Sequence, residues 1–194
     1  MIKRVEFFYD IGSPYTYLAA TQIDGIGKRH GAEVIWRPFL LGGVFKAVGN
    51  EMPARVAAKA KHMLQDLMRW SRHYDVPFQF SSRFPQNGLR AMRACTFAEQ
   101  KGKAKEFAMA VFRAYWVDDL DIASNDTLSA CARAAGLDPA ELVAACDSPA
   151  VKDQLRKNTD EAVQRGAFGA PTIFVGDAMF WGNDRLLFVE EALR

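Results

Sequence analysis

The sequence predicts an α/β protein in which a βαβ start and a ββα end are separated by a long helical block. Three observations lead there. Val5–Tyr9 and Glu33–Phe39 are apolar, aromatic-rich strand candidates that flank one helical stretch. The region from Pro53 to Gly166 reads as a succession of helices. Phe168 to Trp181 returns to strand, turning at Gly176-Asp177, before a short last helix.

The elements follow in order. After Val5–Tyr9, Asp10-Ile11-Gly12 turns the backbone and Ser13-Pro14 starts a helix: serine offers a capping oxygen, and proline arrives with its φ set. Tyr15, Leu18, Ala19, Gln22, Ile23 and Ile26 recur at helical spacing to about Arg29, and His30-Gly31 supplies the stop. Pro38 marks the end of the second strand or an edge of the sheet. The two strands are expected to be parallel, with a right-handed crossover.

Leu40 to Asn50 is apolar and glycine-rich, and is expected to be an irregular but packed loop. Pro53 to Tyr74 is expected to be a helix with Ala57, Ala60, Leu64, Leu67 and Met68 on one face, and Val76 to Asn87 a loop punctuated by Pro77 and Pro85. Gly88 to Trp116 is helical with a break near Gly102, and Phe107, Val111, Phe112, Tyr115 and Trp116 form its apolar stripe. Ser124, Asp138 and Ser148 each begin a further helix, two of them with proline following. The last helix, Leu186 to Leu193, has Asn183 or Asp184 as its expected cap. Without the helical block, the order is that of a thioredoxin fold. The expected division is therefore a discontinuous thioredoxin-like domain of residues 1–39 and 148–194, with a helical insertion domain over 40–147.

Ser13 is the candidate reactive position. It lies where a strand ends and a helix begins, among free amides at a positive dipole end that stabilises an anion, a thiolate included. Disulfide exchange requires Cys-x-x-Cys there, and Ser13-Pro14-Tyr15-Thr16 has no thiol. Cys95, Cys131 and Cys146 are widely spaced in helical sequence and read as small buried hydrophobes of a reducing cytosol, without a disulfide framework. No metal pattern is formed by them or by His30, His62 and His73, so no metal is expected. The balance of 25 Lys plus Arg against 23 Asp plus Glu gives no case for nucleic-acid or membrane partners. With no apolar span and no leader-like start, a cytoplasmic protein is expected.

Four segments together carry a resemblance: Phe8-Tyr9-Asp10-Ile11-Gly12-Ser13-Pro14-Tyr15-Thr16-Tyr17-Leu18, Gly49-Asn50, Phe168-Gly169-Ala170-Pro171-Thr172 and Trp181-Gly182-Asn183-Asp184-Arg185. In this order they resemble the 2-hydroxychromene-2-carboxylate isomerases and the kappa-class glutathione transferases, of the DsbA-like branch of the thioredoxin superfamily. The resemblance spans the chain, helical insertion included. It implies glutathione as cofactor, held by Ser13, Pro14, Tyr15, Asn50, Ala170, Pro171, Asn183 and Asp184, with Ser13 the catalytic donor to its thiolate. It implies a cis Ala170–Pro171 bond that presents the Ala170 backbone as an edge. Asn183 and Asp184 match the positions that take the γ-glutamyl group. Lys46 offers a cation for a carboxylate of glutathione or of the substrate, and Arg55, Phe84 and Asn87, with Pro85, fall where the isomerases shape the site of an aromatic acid. The reaction implied is isomerisation of 2-hydroxychromene-2-carboxylate to trans-o-hydroxybenzylidenepyruvate in naphthalene-type degradation, by a homodimer. A kappa-like transferase and a non-catalytic binding module are the alternatives, and a disulfide oxidoreductase is weaker than either.

Overall fold

A computed structural model describes residues 3–194. β1 (Lys3–Tyr9), α1 (Pro14–His30) and β2 (Ala32–Pro38) form the βαβ unit. Its strands are parallel, with Val5 opposite Val34 and Phe7 opposite Trp36. Then come α2 (Leu41–Val48), a 3-10 turn (Pro53–Arg55), α3 (Ala57–His73), α4 (Leu89–Gln100), α5 (Ala104–Trp116), α6 (Asn125–Ala134), α7 (Pro139–Ala145) and α8 (Pro149–Gln164). The chain returns to the sheet with β3 (Thr172–Val175) and β4 (Ala178–Trp181), then a 3-10 turn (Asn183–Arg185) and α9 (Leu186–Ala192). Strand order is β2-β1-β3-β4, with β3 antiparallel to β1 and to β4. Pro38 thus ends an edge strand, where a missing N–H costs no ladder bond.

The capping residues act as expected. Ser124, Asp138 and Ser148 accept hydrogen bonds from the first turns of α6, α7 and α8, and Gly31 closes α1. The helical run breaks between Gln100 and Ala104, and Phe107, Val111, Phe112, Tyr115 and Trp116 are all fully buried. The β1 aromatics Phe7 and Tyr9 join that core through Trp36 and Phe112.

Three expectations need correction. Leu40 to Asn50 is not an irregular loop, because Leu41–Val48 is a helix. Its first amides are satisfied from a distance: Leu41 N–H donates to the Asp10 carboxylate at 2.7 Å, and Leu40 N–H to Thr159 Oγ1 at 3.0 Å. Gly43 permits the approach to α8, since a Cβ there would stand 3.1 Å from Thr159 Cγ2. In α3 the expected apolar face is not the buried one: Met63 and Leu67 are buried, while Ala57, Leu64 and Met68 face outward. Finally, neither Asn183 nor Asp184 caps α9; both lie in the preceding 3-10 turn, and Arg185 holds the cap position without a side-chain bond.

Candidate functional site

Ser13 sits at the N-cap of α1 with extended backbone (φ −100°, ψ 115°), and only 5% of it is exposed. Its Oγ accepts from Thr16 N–H at 3.2 Å and donates to the Ala170 carbonyl at 3.2 Å. The Ala170–Pro171 bond is cis, as is Phe84–Pro85, which the sequence reading does not foresee.

The turn that presents Ser13 is pinned from behind. Asp10 is buried, and its carboxylate accepts from Gly12 N–H at 2.8 Å as well as from Leu41 N–H, while its carbonyl accepts from Ser13 N–H. Burial pushes the Asp10 carboxyl up, against the pull of those two amides. Trp116 Nε1–H donates to the Ile11 carbonyl at 2.8 Å, and Ile11 N–H reaches Met92 Sδ at 3.3 Å. Strand, turn and helical block therefore converge on one backbone segment.

In front of Ser13 opens a cleft of about 900 Å³. One side is made by Ser13, Pro14 and Tyr15 with Gly169, Ala170 and the Trp181–Asp184 segment. The other side comes from α2, the segment after it, and α3. Leu41, Phe45, Met52, Met63, Trp70 and, from the following loop, Phe84 make that side largely apolar. Four polar side chains break it: Asn50, Lys59, His62 and Asp66.

Two carboxylates, Asp66 and Asp184, stand near the Tyr15 phenol. Tyr15 donates to Asp66 Oδ2 at 3.0 Å; burial first, and then the two acids, push its pKa up and keep it protonated. Lys59 lies seven residues before Asp66 on α3, about 10 Å along the axis at 1.5 Å per residue. The cleft is therefore bipolar, with acids near Tyr15 and a lysine farther along the same helix. Asn183 is 3% exposed, lines the cleft, and its Nδ2 has no hydrogen-bond partner among the described residues. Gly182 delivers this turn at φ 102°, a conformation that side chains resist, and a Cβ there would meet Asp184 Oδ1 at 2.5 Å. Tyr74 fixes it further by donating to the Asn183 carbonyl at 3.0 Å.

Of the residues singled out in the sequence, Ser13, Pro14, Tyr15, Asn50, Phe84, Ala170, Asn183 and Asp184 line the cleft. Pro171 is buried behind Ala170. Asn50 uses both polar ends internally: Nδ2–H donates to the Phe168 carbonyl at 2.9 Å and Oδ1 accepts from Glu51 N–H. Lys46, Arg55 and Asn87 are not in the lining. Lys46 is exposed on the last turn of α2, and Asn87 Oδ1 accepts from Leu89 N–H at the start of α4. Arg55 pairs with Glu51 and borders, with Phe84 and Pro85, a smaller apolar hollow beside the cleft. Sequence reasoning missed Lys59, Asp66 and Trp70, and it set His62 aside. Their spacing at 59, 62, 66 and 70 is a helical stripe that only the orientation of α3 turns toward Ser13.

The three cysteines are free and buried. Among the described residues no group of three His, Cys, Asp or Glu gathers as a metal site, and no helix is long and apolar enough to cross a membrane.

Comparison with known proteins identifies the family and the fold. The model of the DsbA-like thioredoxin domain matches residues 4–194. The chain is similar to a 2-hydroxychromene-2-carboxylate isomerase of Sphingobium xenophagum, with 36% identity over all of this chain and 99% of the relative. It is 29% identical to human glutathione S-transferase kappa 1 over 95% of this chain and 88% of that one. A solved structure of a 2-hydroxychromene-2-carboxylate isomerase superposes with a TM-score of 0.89 at 28% identity, covering 98% of this chain and 94% of that one. The chain is a member of the DsbA-like thioredoxin family, alongside the 2-hydroxychromene-2-carboxylate isomerases and the kappa-class glutathione transferases.

Proposed function

We propose that this chain is a glutathione-dependent cis–trans isomerase of aromatic degradation, acting on 2-hydroxychromene-2-carboxylate or an aromatic acid of its class. The observation that carries this reading is the Ser13 hydroxyl, held at a helix N-terminus 3.2 Å from the Ala170 carbonyl inside a bipolar cleft. The residues fit glutathione, which carries an ammonium near one end and a carboxylate at the other. Asp184 and Asp66 suit the ammonium, and Lys59 suits the far carboxylate. When bound, glutathione supplies a thiolate for reversible addition to the conjugated, ring-opened acid.

The chain's own part is to hold charge in place. Ser13 has one proton, engaged with the Ala170 carbonyl. With the Ala170 carbonyl taken by a ligand amide, the Ser13 hydroxyl would be free to donate its hydrogen bond to a sulfur while still accepting from Thr16 N–H. The α1 amides add the field of a helix start. Phe45, Met52 and Trp70 surround the space with apolar surface suited to an aromatic ring and strengthen each polar contact inside it. We also propose a homodimer, which sedimentation at micromolar concentration tests.

The deciding experiment pairs a calorimetric glutathione titration with a turnover assay on the chromene acid. The reading expects binding, and isomerisation with glutathione returned unchanged. Stoichiometric consumption would instead favour a kappa-like transferase, and absence of binding would leave a non-catalytic module.

A further inference from the structure

The two sides of the cleft differ in chemistry. One presents the Ser13 hydroxyl at a helix start, and the other carries Lys59, His62 and Asp66 along α3. Among the described residues, Tyr15 and Asp184 complete the titratable groups of the lining. Four of these five have a fixed part. Tyr15 donates to Asp66 Oδ2 at 3.0 Å, and burial with the nearby acids keeps its proton in place. Asp184 pairs with Arg185, and the Lys59 ammonium can donate but not accept. His62 is left over. It is exposed on α3, and where His30 pairs with Glu190 and His73 packs against Trp70, His62 has no such partner among the described residues. Imidazole is the side chain that ordinarily takes up and gives back a proton between pH 5 and 8.

The reaction proposed above contains a step that needs such a group. 2-Hydroxychromene-2-carboxylate is a cyclic hemiketal, and it has no ketone conjugated to its double bond until the ring opens. Opening moves a proton from the C2 hydroxyl to the ring oxygen, and thiolate addition does not perform that transfer.

We infer that His62 is a further catalytic residue, the proton carrier that opens the cyclic hemiketal before the thiol adds. Its free ring nitrogen takes the proton of the C2 hydroxyl, whose O–H electron pair becomes the second bond of the ketone. The bond from C2 to the ring oxygen breaks with its pair on that oxygen, and the imidazolium returns the proton there to give the phenol. Nothing is oxidised or reduced, and His62 ends as it began. Phe45, Met52 and Trp70 share the His62 side of the cleft, so an aromatic ring lying against them has the imidazole beside it and Ser13 across from it. The inference rests on the substrate class proposed above, and it adds a step and the residue that performs it.

The test mixes the closed chromene acid at pH 7 with the protein and S-methylglutathione, whose sulfur cannot add, and follows ring opening by the absorbance of the open form. The wild type should speed opening about a hundredfold, the scale of general acid–base catalysis. His62→Gln should lose most of that gain at an unchanged urea midpoint, because the position is exposed. In turnover with glutathione, His62→Gln should lose about tenfold more on the chromene acid than on the cis o-methoxy ether of the open acid, which has no phenol to close a ring. No acceleration of opening by the wild type, an undiminished rate in His62→Gln, or equal losses on the two substrates would overturn the role. Thiolate addition has no part in the opening assay. Normal opening without isomerisation of the ether therefore falls on the glutathione reading and leaves the role of His62 standing.

Discussion

On the sheet side of the cleft, the turn carrying Ser13 is tied from behind by Asp10, Met92 and Trp116, and Asp10, Ile11, Ser13 and Pro14 are all buried. Across the cleft, α3 exposes Leu64 and Met68 along with its lysines and arginines. Its polar ties to the sheet side are few: Tyr15 to Asp66 and Tyr74 to the Asn183 carbonyl. The difference separates two tasks. A hydroxyl with the role proposed for Ser13 must be held within fractions of an ångström, which takes a buried frame. Selecting a ligand needs only surface, charge and shape, which an exposed helix supplies and can change without disturbing the frame.

The comparison breaks most visibly at the frame. Trp116→Ala removes a fully buried ring and leaves the Ile11 carbonyl without its donor, so stability should drop by about 3–5 kcal/mol in a urea titration. A loss under 1 kcal/mol would mean that the turn is not held from behind.

Asp184→Asn comes next. It exchanges a charged acceptor for a neutral one and should weaken glutathione by about 1.5–3 kcal/mol in calorimetry. Thermal stability should hardly move, because Asp184 caps no helix; its side chain pairs with the neighbouring Arg185.

Asp10 contributes through pH. Burial raises its folded pKa, so above the ordinary Asp value of about 3.9 the folded chain binds this proton more tightly than the unfolded one. Its contribution to stability is therefore complete below that value and is lost as pH rises through the raised one. Asp10→Asn should flatten this part of the profile when urea midpoints are compared from pH 4 upward. Parallel profiles would show that the carboxyl is not shifted.

The smallest effect is expected on the wall. Leu64→Gln and Met68→Gln alter exposed positions and should change stability by less than about 0.5 kcal/mol each. A loss near 2 kcal/mol would reveal that this face of α3 is covered in solution.

The same division explains what the sequence made legible. Ser13-Pro14, Ser148-Pro149, Gly31 and the Gly176-Asp177 hairpin carry their signals within a few residues, so helix starts, stops and turns could be read directly. The α2 helix could not, because its capping groups are Asp10 and Thr159, far away in sequence, and its two glycines imitate a loop. Nor could the buried face of α3: Leu64 and Met68 share helical spacing with Leu67, and only packing decides that Met63 and Leu67 turn inward. Lys59 and Asp66 became site residues through that same rotation. Ser13 and Ala170, in contrast, were found through motifs at two ends of the chain that the sheet brings together.

The central claim, that Ser13 and the start of α1 stabilise a thiolate, is tested most directly by the pH dependence of thiolate absorbance for bound glutathione. A free thiol titrates near 8.5, and the bound one should titrate one to two units lower, at about 1.4 kcal/mol per unit. Ser13→Ala should return about one of those units, with the helix amides retaining the rest. A bound thiol that titrates like a free one, or a depression unchanged in Ser13→Ala, would contradict the account.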